Sequence, residues 1–218
     1  SGPLGQGHTM GIGAAIGAKF LQARFGDWMN HTIYGFISDG GIQEEISQGA
    51  GRIAGHLGLS NFIMFFDSND IQLSTSTDEV TTEDTGMKYR AWGWKVINID
   101  GHNHKEIRKA LTDANNETEK PTLIIGKTIM GKGCVTAEDK MFEGECELHG
   151  QPIGNTGADY TKTLLNLGAK PMFLRFGPFL KPTSFCVLKM KTSNFENPCT
   201  APPRGFPHLS PARTSGQV

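Results

Sequence analysis

Apolar residues recur at two alternating spacings between residues 8 and 167, and this pattern predicts helices and strands in turn. The predicted helices cover residues 8–25, 42–57 and 82–92 and a stretch from His104; the predicted strands cover residues 32–38, 61–67 and 95–99 and a run from Thr122. Strands that alternate with helices of this length indicate a parallel, doubly wound α/β sheet flanked by helices. In such sheets, ligands bind at the carboxyl ends of the strands.

The first predicted helix is rich in glycine and alanine, which is typical of a helix that packs closely on a sheet. Its apolar residues at helical spacing are Ile12, Ala15, Ile16 and Phe20. We therefore expect these four side chains to face the core.

The pattern changes near residue 168. Residues 169–218 contain eight of the eleven prolines, seven Lys or Arg residues and a single acid, Glu196. Neither spacing occurs there, and turn and breaker residues dominate the end of the chain. The sequence thus predicts a folded domain over residues 1–167 and an irregular or disordered Pro-rich tail over residues 168–218. A basic interaction arm and a frameshifted end are the alternatives for the tail.

The charge and composition of the chain argue against several classes of function. The formal net charge is −1, and no Lys/Arg run with interleaved aromatic residues occurs, so nucleic acid is not an expected partner. No apolar run approaches the roughly 20 residues of a membrane span, and the start lacks the blocks of a signal peptide. We expect no membrane association and a cytoplasmic location. The four cysteines form no CxxC pair, which indicates reduced thiols rather than a metal site.

Oxygen-bearing side chains follow the first two predicted strands. Asp39 lies in the run ISDGG (37–41), and Asn69 lies in FFDSNDIQ (65–72). One strand–helix–strand unit separates them, so both side chains should lie at the same edge of the sheet, at the ends of adjacent strands. A carboxylate, an amide oxygen and a carbonyl from the following loop suit Mg²⁺, which completes its shell with phosphate and water. Either residue alone is more often a turn residue; their spacing and order favour a site.

The spacing of Asp39 and Asn69 resembles the thiamine diphosphate motif, in which GDG is followed by N after one strand–helix–strand unit. Ser38 stands in place of the first glycine of that motif. Seven segments occur in the order found in the first domain of a transketolase. They are GPLGQG, SDGGIQEEIS, FFDSNDIQLS, TEDTGMKYRAWGWKV, DGHNHKEI, KTIMGKG and HGQPIG. Residues 2–167 therefore resemble the transketolase family, which implies a thiamine diphosphate-binding fold.

The resemblance implies a role for each matching residue at the metal and the diphosphate. Asp39, Asn69 and the backbone carbonyl of Ile71 would hold Mg²⁺ or Ca²⁺, and Asn69 would also lie near the diphosphate. Gly40 would contact the diphosphate, since a glycine lets backbone N–H groups approach a phosphate closely.

Two other segments of the resemblance imply contacts with the cofactor. Gly2, Pro3 and Leu4 would lie against thiamine diphosphate, so we interpret the opening SGPLGQG as a cofactor loop rather than a protease scar. His149 would lie over the cofactor and sugar as a hydrogen-bond donor, which makes it the candidate catalytic residue. Cys146 stands where many relatives have a further histidine, so a sugar contact there is not expected.

The implied activity is transfer of a two-carbon ketol unit from a ketose phosphate to an aldose phosphate in the pentose phosphate pathway. In the family, a glutamate from a second domain, usually of the partner subunit, activates the cofactor. This chain lacks that domain and the stretch that precedes GPLGQG, so we expect the chain alone to be inactive. It would act as a homodimer or with a complementing chain. Three hypotheses stay open: a transketolase fragment, one subunit of a split transketolase, and a non-catalytic binding or scaffold remnant.

Overall fold

The computed structural model describes residues 2–73 and 75–169 of the chain. The strands are β1 (Ile33–Ser38), β2 (Phe62–Ser68), β3 (Ile71–Gln72), β4 (Thr75–Ser76), β5 (Lys95–Asp100) and β6 (Thr122–Lys127). The α-helices are α1 (Gln6–Phe25), α2 (Asp39–Gln43), α3 (Glu45–His56), α4 (Thr85–Ala91), α5 (His104–Asn115) and α6 (Tyr160–Asn166). None of the helices in this part of the chain is long and apolar enough to cross a membrane.

Four strands form one parallel sheet in the order β1-β2-β6-β5. Strands β3 and β4 form a separate antiparallel hairpin just after β2. The predicted α/β sheet flanked by helices is confirmed: the first three strands lie within one residue of the predicted bounds, and the fourth begins at Thr122 as predicted. The predicted tail, apart from its first two residues, falls outside the described residues.

Helices cover both faces of this sheet. Alternate residues of β2 point to opposite sides: Phe62 and Met64 join the buried cluster under α1, α3 and α4, which includes Tyr89 and Trp94. Ile63 joins a second cluster beneath α5. Because β2 is buried on both faces, its sequence reads as a continuous apolar run.

The predicted helix over residues 42–57 is instead two helices. Glu44 has extended backbone angles (φ −60°, ψ 134°) and separates α2 from α3. The Ser47 hydroxyl donates a hydrogen bond to the Gly41 carbonyl (2.7 Å), and the Gln48 amide donates one to the Gln43 carbonyl (3.0 Å). These side chains satisfy carbonyls at the end of α2 that no continuing helix satisfies. At its other end, α2 begins at Asp39, directly after β1.

The predicted apolar face of α1 is half wrong. Ile12 and Ala15 are buried as expected, whereas Ile16 and Phe20 are exposed. The buried face continues instead through His8 and Ala18. Because α1 is apolar almost all round, its sequence pattern did not single out the face that packs on the sheet.

A histidine therefore lies in the core below α1. His8 is 5% exposed, its ring stacks on Phe62 with centroids 6.1 Å apart, and the edge of Trp94 lies beside it. Within residues 2–73 and 75–169, neither ring nitrogen has a hydrogen-bond partner. Burial lowers the pKa of His8 to about 4, because the charged imidazolium loses its hydration.

Acid should destabilise the fold through His8. Only the unfolded chain takes up this proton between pH 6.5 and about 4, so the free energy of unfolding should fall across that window by up to about 3 kcal/mol. Urea unfolding of the wild type and His8→Leu at a series of pH values measures this loss. The variant should lose less stability on acidification, whereas His56→Gln, which replaces an exposed histidine of α3, should follow the wild type. Parallel pH curves for wild type and His8→Leu would contradict the prediction.

Candidate cofactor and metal site

The ends of β1 and β2 place two polar side chains side by side. Ser38, the last residue of β1, pairs in register with Asp67 of β2, so Asp39 and Asn69 follow neighbouring strand ends. The backbone N–H of Asn69 donates a hydrogen bond to Oδ2 of Asp39 over 2.9 Å. The structure thus brings the two residues together across 30 positions of sequence.

The loop after β2 folds back on the Asn69 side chain. Oδ1 of Asn69 accepts a hydrogen bond from the backbone N–H of Ile71 (3.0 Å). Asp70 between them has a left-handed backbone (φ 63°), which Asp tolerates better than most residues, and its carbonyl accepts from the N–H of Thr77 (2.9 Å). The loop therefore gathers the Asp39 carboxylate, the Asn69 amide oxygen and the backbone of Ile71 at one strand edge.

Asp39 is a buried carboxylate, only 4% exposed. Burial raises the pKa of Asp39, and the hydrogen bond from the Asn69 N–H offsets only part of that effect. The positive charge of Lys127 lowers the pKa of Asp39 by less than that hydrogen bond does, and Lys127 forms its ion pair with Asp70 rather than with Asp39. A divalent cation at Asp39 would offset the desolvation of the carboxylate, and Asn69 Oδ1 retains a second lone pair for it. The donor set therefore fits Mg²⁺ or Ca²⁺.

A cleft of about 640 Å³ lies beside this loop and contains three of the predicted site residues. Leu4, Gly40 and His149 all line it. A side chain at Gly40 would begin 3.5 Å from Leu4 Cδ1, which shows how closely the opening loop approaches the start of α2. Asp39 lines a neighbouring cleft of about 460 Å³.

The remaining predicted residues of the opening loop do not line this cleft. Pro3 lines a smaller cavity of about 180 Å³ together with Leu4, and the exposed Gly2 lines none of these three spaces. Gly5 holds the loop in place: it has a left-handed backbone (φ 80°), and a Cβ there would lie 2.5 Å from Ile46 Cγ2. The loop is therefore held against the first turn of α3.

His149 reaches the cleft from a distant part of the sequence. It follows a short 3₁₀ helix, Cys146–Leu148, whose Leu148 is buried in a small cluster with Cys134 and Ala158. The His149 backbone N–H donates to the Cys146 carbonyl (3.0 Å). The ring of His149 makes no hydrogen bond to other residues in the described part of the chain, so its nitrogens are available to a ligand.

Three polar residues at the site were not singled out from the sequence. Lys127 ends β6 at the same edge and forms an ion pair with Asp70. Gln43 lines both clefts, and Gln72 lines the larger one. Their positions in the sequence were the available signal: Lys127 lies near the end of a predicted strand, and Gln43 lies one helical turn after Asp39.

A parallel sheet whose strand ends carry an oxygen donor set beside a cleft defines a cofactor-binding α/β domain. Residues 1–175 match the family described as transketolase, thiamine diphosphate binding domain. The chain therefore belongs to the transketolase family.

Individual relatives agree with this assignment. Transketolase 1 of Pasteurella multocida is 42% identical over 160 residues, which cover 71% of this chain and 23% of that protein. The crystal structure of Campylobacter jejuni transketolase matches with a TM-score of 0.71 and 37% identity, covering 78% of this chain and 26% of that one. A Pichia stipitis transketolase in complex with sedoheptulose 7-phosphate matches with a TM-score of 0.71 and 31% identity, covering 79% and 25%. The chain thus spans about a quarter of the length of these relatives.

Proposed function

We propose that this chain forms the diphosphate- and metal-holding part of a transketolase. The reaction is transfer of a two-carbon ketol unit from a ketose phosphate to an aldose phosphate, dependent on thiamine diphosphate and Mg²⁺. The observation that carries the proposal is the buried Asp39 carboxylate, joined to Asn69 beside a cleft lined by Gly40 and His149. Membership of the family supplies the reaction class.

The metal would be held by Asp39, Asn69 and the carbonyl of Ile71, with diphosphate oxygens and water completing its shell. Asp39 is the charged member of this set, so it provides most of the electrostatic attraction to the cation. Gly40 leaves room for a diphosphate against the backbone at the start of α2. Asn69, which is hydrogen-bonded to Asp39, would contact both the metal and the diphosphate.

When bound, thiamine diphosphate supplies the nucleophilic carbon that accepts and releases the two-carbon unit. The residues of this chain bind and orient the cofactor and the sugar. Leu4 contributes an apolar wall to the cleft, and His149 offers a ring N–H to oxygen atoms of the diphosphate and the sugar. A half-buried donor of this kind stabilises negative charge better than water does, because it is already oriented.

The rest of the active site would come from outside these residues. A sugar phosphate is the ligand of the Pichia stipitis relative, and we propose sugar phosphates as substrates here. Because the matched segment covers only about a quarter of these relatives, the pyrimidine-binding part of the site would come from further sequence, in a homodimer or in a complementing chain.

The test is calorimetry of the full 218-residue chain with thiamine diphosphate in the presence of Mg²⁺ or of a chelator. We expect binding that requires Mg²⁺, because the diphosphate is held largely through the metal. Thiamine without its phosphates is the matched control ligand and should not bind measurably. The His149→Ala variant should weaken binding modestly while keeping the requirement for Mg²⁺.

Two outcomes decide the proposal. Binding that depends on Mg²⁺ and on the diphosphate supports it, even without turnover, because the domain needs the remainder of the enzyme. No binding by a chain that circular dichroism shows to be folded overturns it and favours the non-catalytic remnant.

A further inference from the structure

Gln43 connects the start of α2 to the loop that carries the candidate metal ligands. Its Nε2 atom donates one hydrogen bond to the backbone carbonyl of Asp39 (3.1 Å) and another to Oε1 of Gln72 (2.8 Å). Both protons of one amide are thereby used on two different segments of the chain. Gln72 immediately follows Ile71, so the bridge runs from one candidate ligand to the neighbour of another.

This loop has a few other contacts: Lys127 forms an ion pair with Asp70, the Thr77 N–H donates to the Asp70 carbonyl, and Ile71 is buried. The hairpin of β3 and β4 contains only two residue pairs, and Asp70 within the loop is exposed and has a left-handed backbone. A two-stranded hairpin of this length is not stable by itself. Two hydrogen bonds join the loop to α2: the Gln43 amide donates to Gln72, and the Asn69 N–H donates to the Asp39 carboxylate.

We propose that Gln43 is a positioning residue that clamps the Asn69–Ile71 loop against Asp39 and so preorganises the metal site. Gln43 does not itself bind the metal. It fixes the separation between the Asp39 turn and the Ile71 backbone, which a small octahedral cation requires to be nearly ideal. The metal part of the inference rests on the proposed function, whereas the clamp itself is a property of the ligand-free protein.

The ligand-free chain provides the first test, by hydrogen exchange. The amide of Ile71 is bonded to Asn69 Oδ1 and the amide of Asn69 to Asp39 Oδ2, so both report whether the loop is closed. In Gln43→Leu, which keeps the bulk but removes both donors, these two amides should exchange roughly tenfold faster. Amides of α5, remote from the loop, should be unchanged.

Gln48→Leu is the matched control. Gln48 also donates its amide within this corner, to the Gln43 carbonyl (3.0 Å), but it has no hydrogen bond to the loop. The control should leave exchange at Asn69 and Ile71 near the wild-type rate. Equal acceleration in both variants would show a general loosening of the corner and would overturn the clamp, as would unchanged exchange in Gln43→Leu.

The second test is the Mg²⁺ affinity measured in the presence of thiamine diphosphate. Gln43→Leu and Gln72→Leu should each weaken the Mg²⁺ affinity roughly tenfold. This is the lower end of the effect of removing a residue that supports a metal ligand. The double variant should be no weaker than either single one, because both remove the same bridge. Additive losses, or unchanged affinity in Gln43→Leu, would overturn the inference. Absence of binding by the wild type would contradict the proposed function instead, and exchange would still decide the clamp.

Discussion

Replacing Gly55 with alanine is expected to lower the free energy of unfolding by about 3 kcal/mol. A Cβ at this position of α3 would lie 1.8 Å from the backbone oxygen of Trp92 and 2.8 Å from its carbonyl carbon. The obstacle is main chain, so no rotamer change can relieve it. The variant must separate α3 from the turn between α4 and β5, where Gly93 (φ 91°) also faces Gly55.

Gly49→Ala in the same helix is the control for this prediction. A Cβ at Gly49 meets no atom within 4 Å, so alanine should stabilise the helix by up to about 1 kcal/mol through its higher helix propensity. Urea unfolding followed by tryptophan fluorescence measures both variants, since the buried Trp94 indole donates to the Gly51 carbonyl of α3. A Gly55→Ala protein as stable as the wild type would show that the close approach does not exist in solution.

Asp39→Asn is expected to weaken Mg²⁺-dependent binding of thiamine diphosphate by roughly 100-fold or more. This loss exceeds the typical loss of affinity when a residue that only supports a metal ligand is changed. Asparagine has the same shape and still accepts the hydrogen bond from Asn69, so the variant removes only the charge of the donor set. The same change should leave the metal-free protein equally or more stable, because a buried carboxylate without a cation is costly. Calorimetry and unfolding of one preparation test these opposite effects.

The matched control removes a nearby carboxylate that has no place in the donor set. Asp84 lines the neighbouring cleft and caps α4 by accepting from the Met87 N–H (2.7 Å). Asn caps helices as well as Asp does, so Asp84→Asn should retain both stability and cofactor binding. Equal losses in Asp39→Asn and Asp84→Asn would indicate a diffuse charge effect and contradict a specific role for Asp39.

The local sequence pattern was sufficient to predict the sheet and the residues at the ends of its strands. Apolar runs that end in turn residues locate β1 and β2, and the rules of parallel sheets then place Asp39 beside Asn69. The position of His149 was reached through the resemblance alone, because a long irregular segment separates it from β6 and no spacing relates it to the strand ends.

Features that depend on packing between distant segments were not predicted. The break at Glu44 requires side chains that satisfy the end of α2, and the buried face of α1 is decided by the sheet beneath it. The burial of His8 follows from that same choice of face. The contact of Gly55 with Trp92 and the bridge of Gln43 to Gln72 join segments about 30 or more positions apart, and neither has a local signature.

The strand order has a consequence for how the chain assembles. Strand β6 comes last in the sequence of the sheet but lies between β2 and β5. During synthesis, β1 and β2 can pair as soon as they emerge, whereas β5 has no neighbour until residues 122–127 insert beside it. Closure of the sheet is thus a non-local, late event, which slows folding. Asp39, Asn69 and Ile71 follow β1 and β2, the strands that can pair first, so the candidate ligand set can assemble before the sheet is complete.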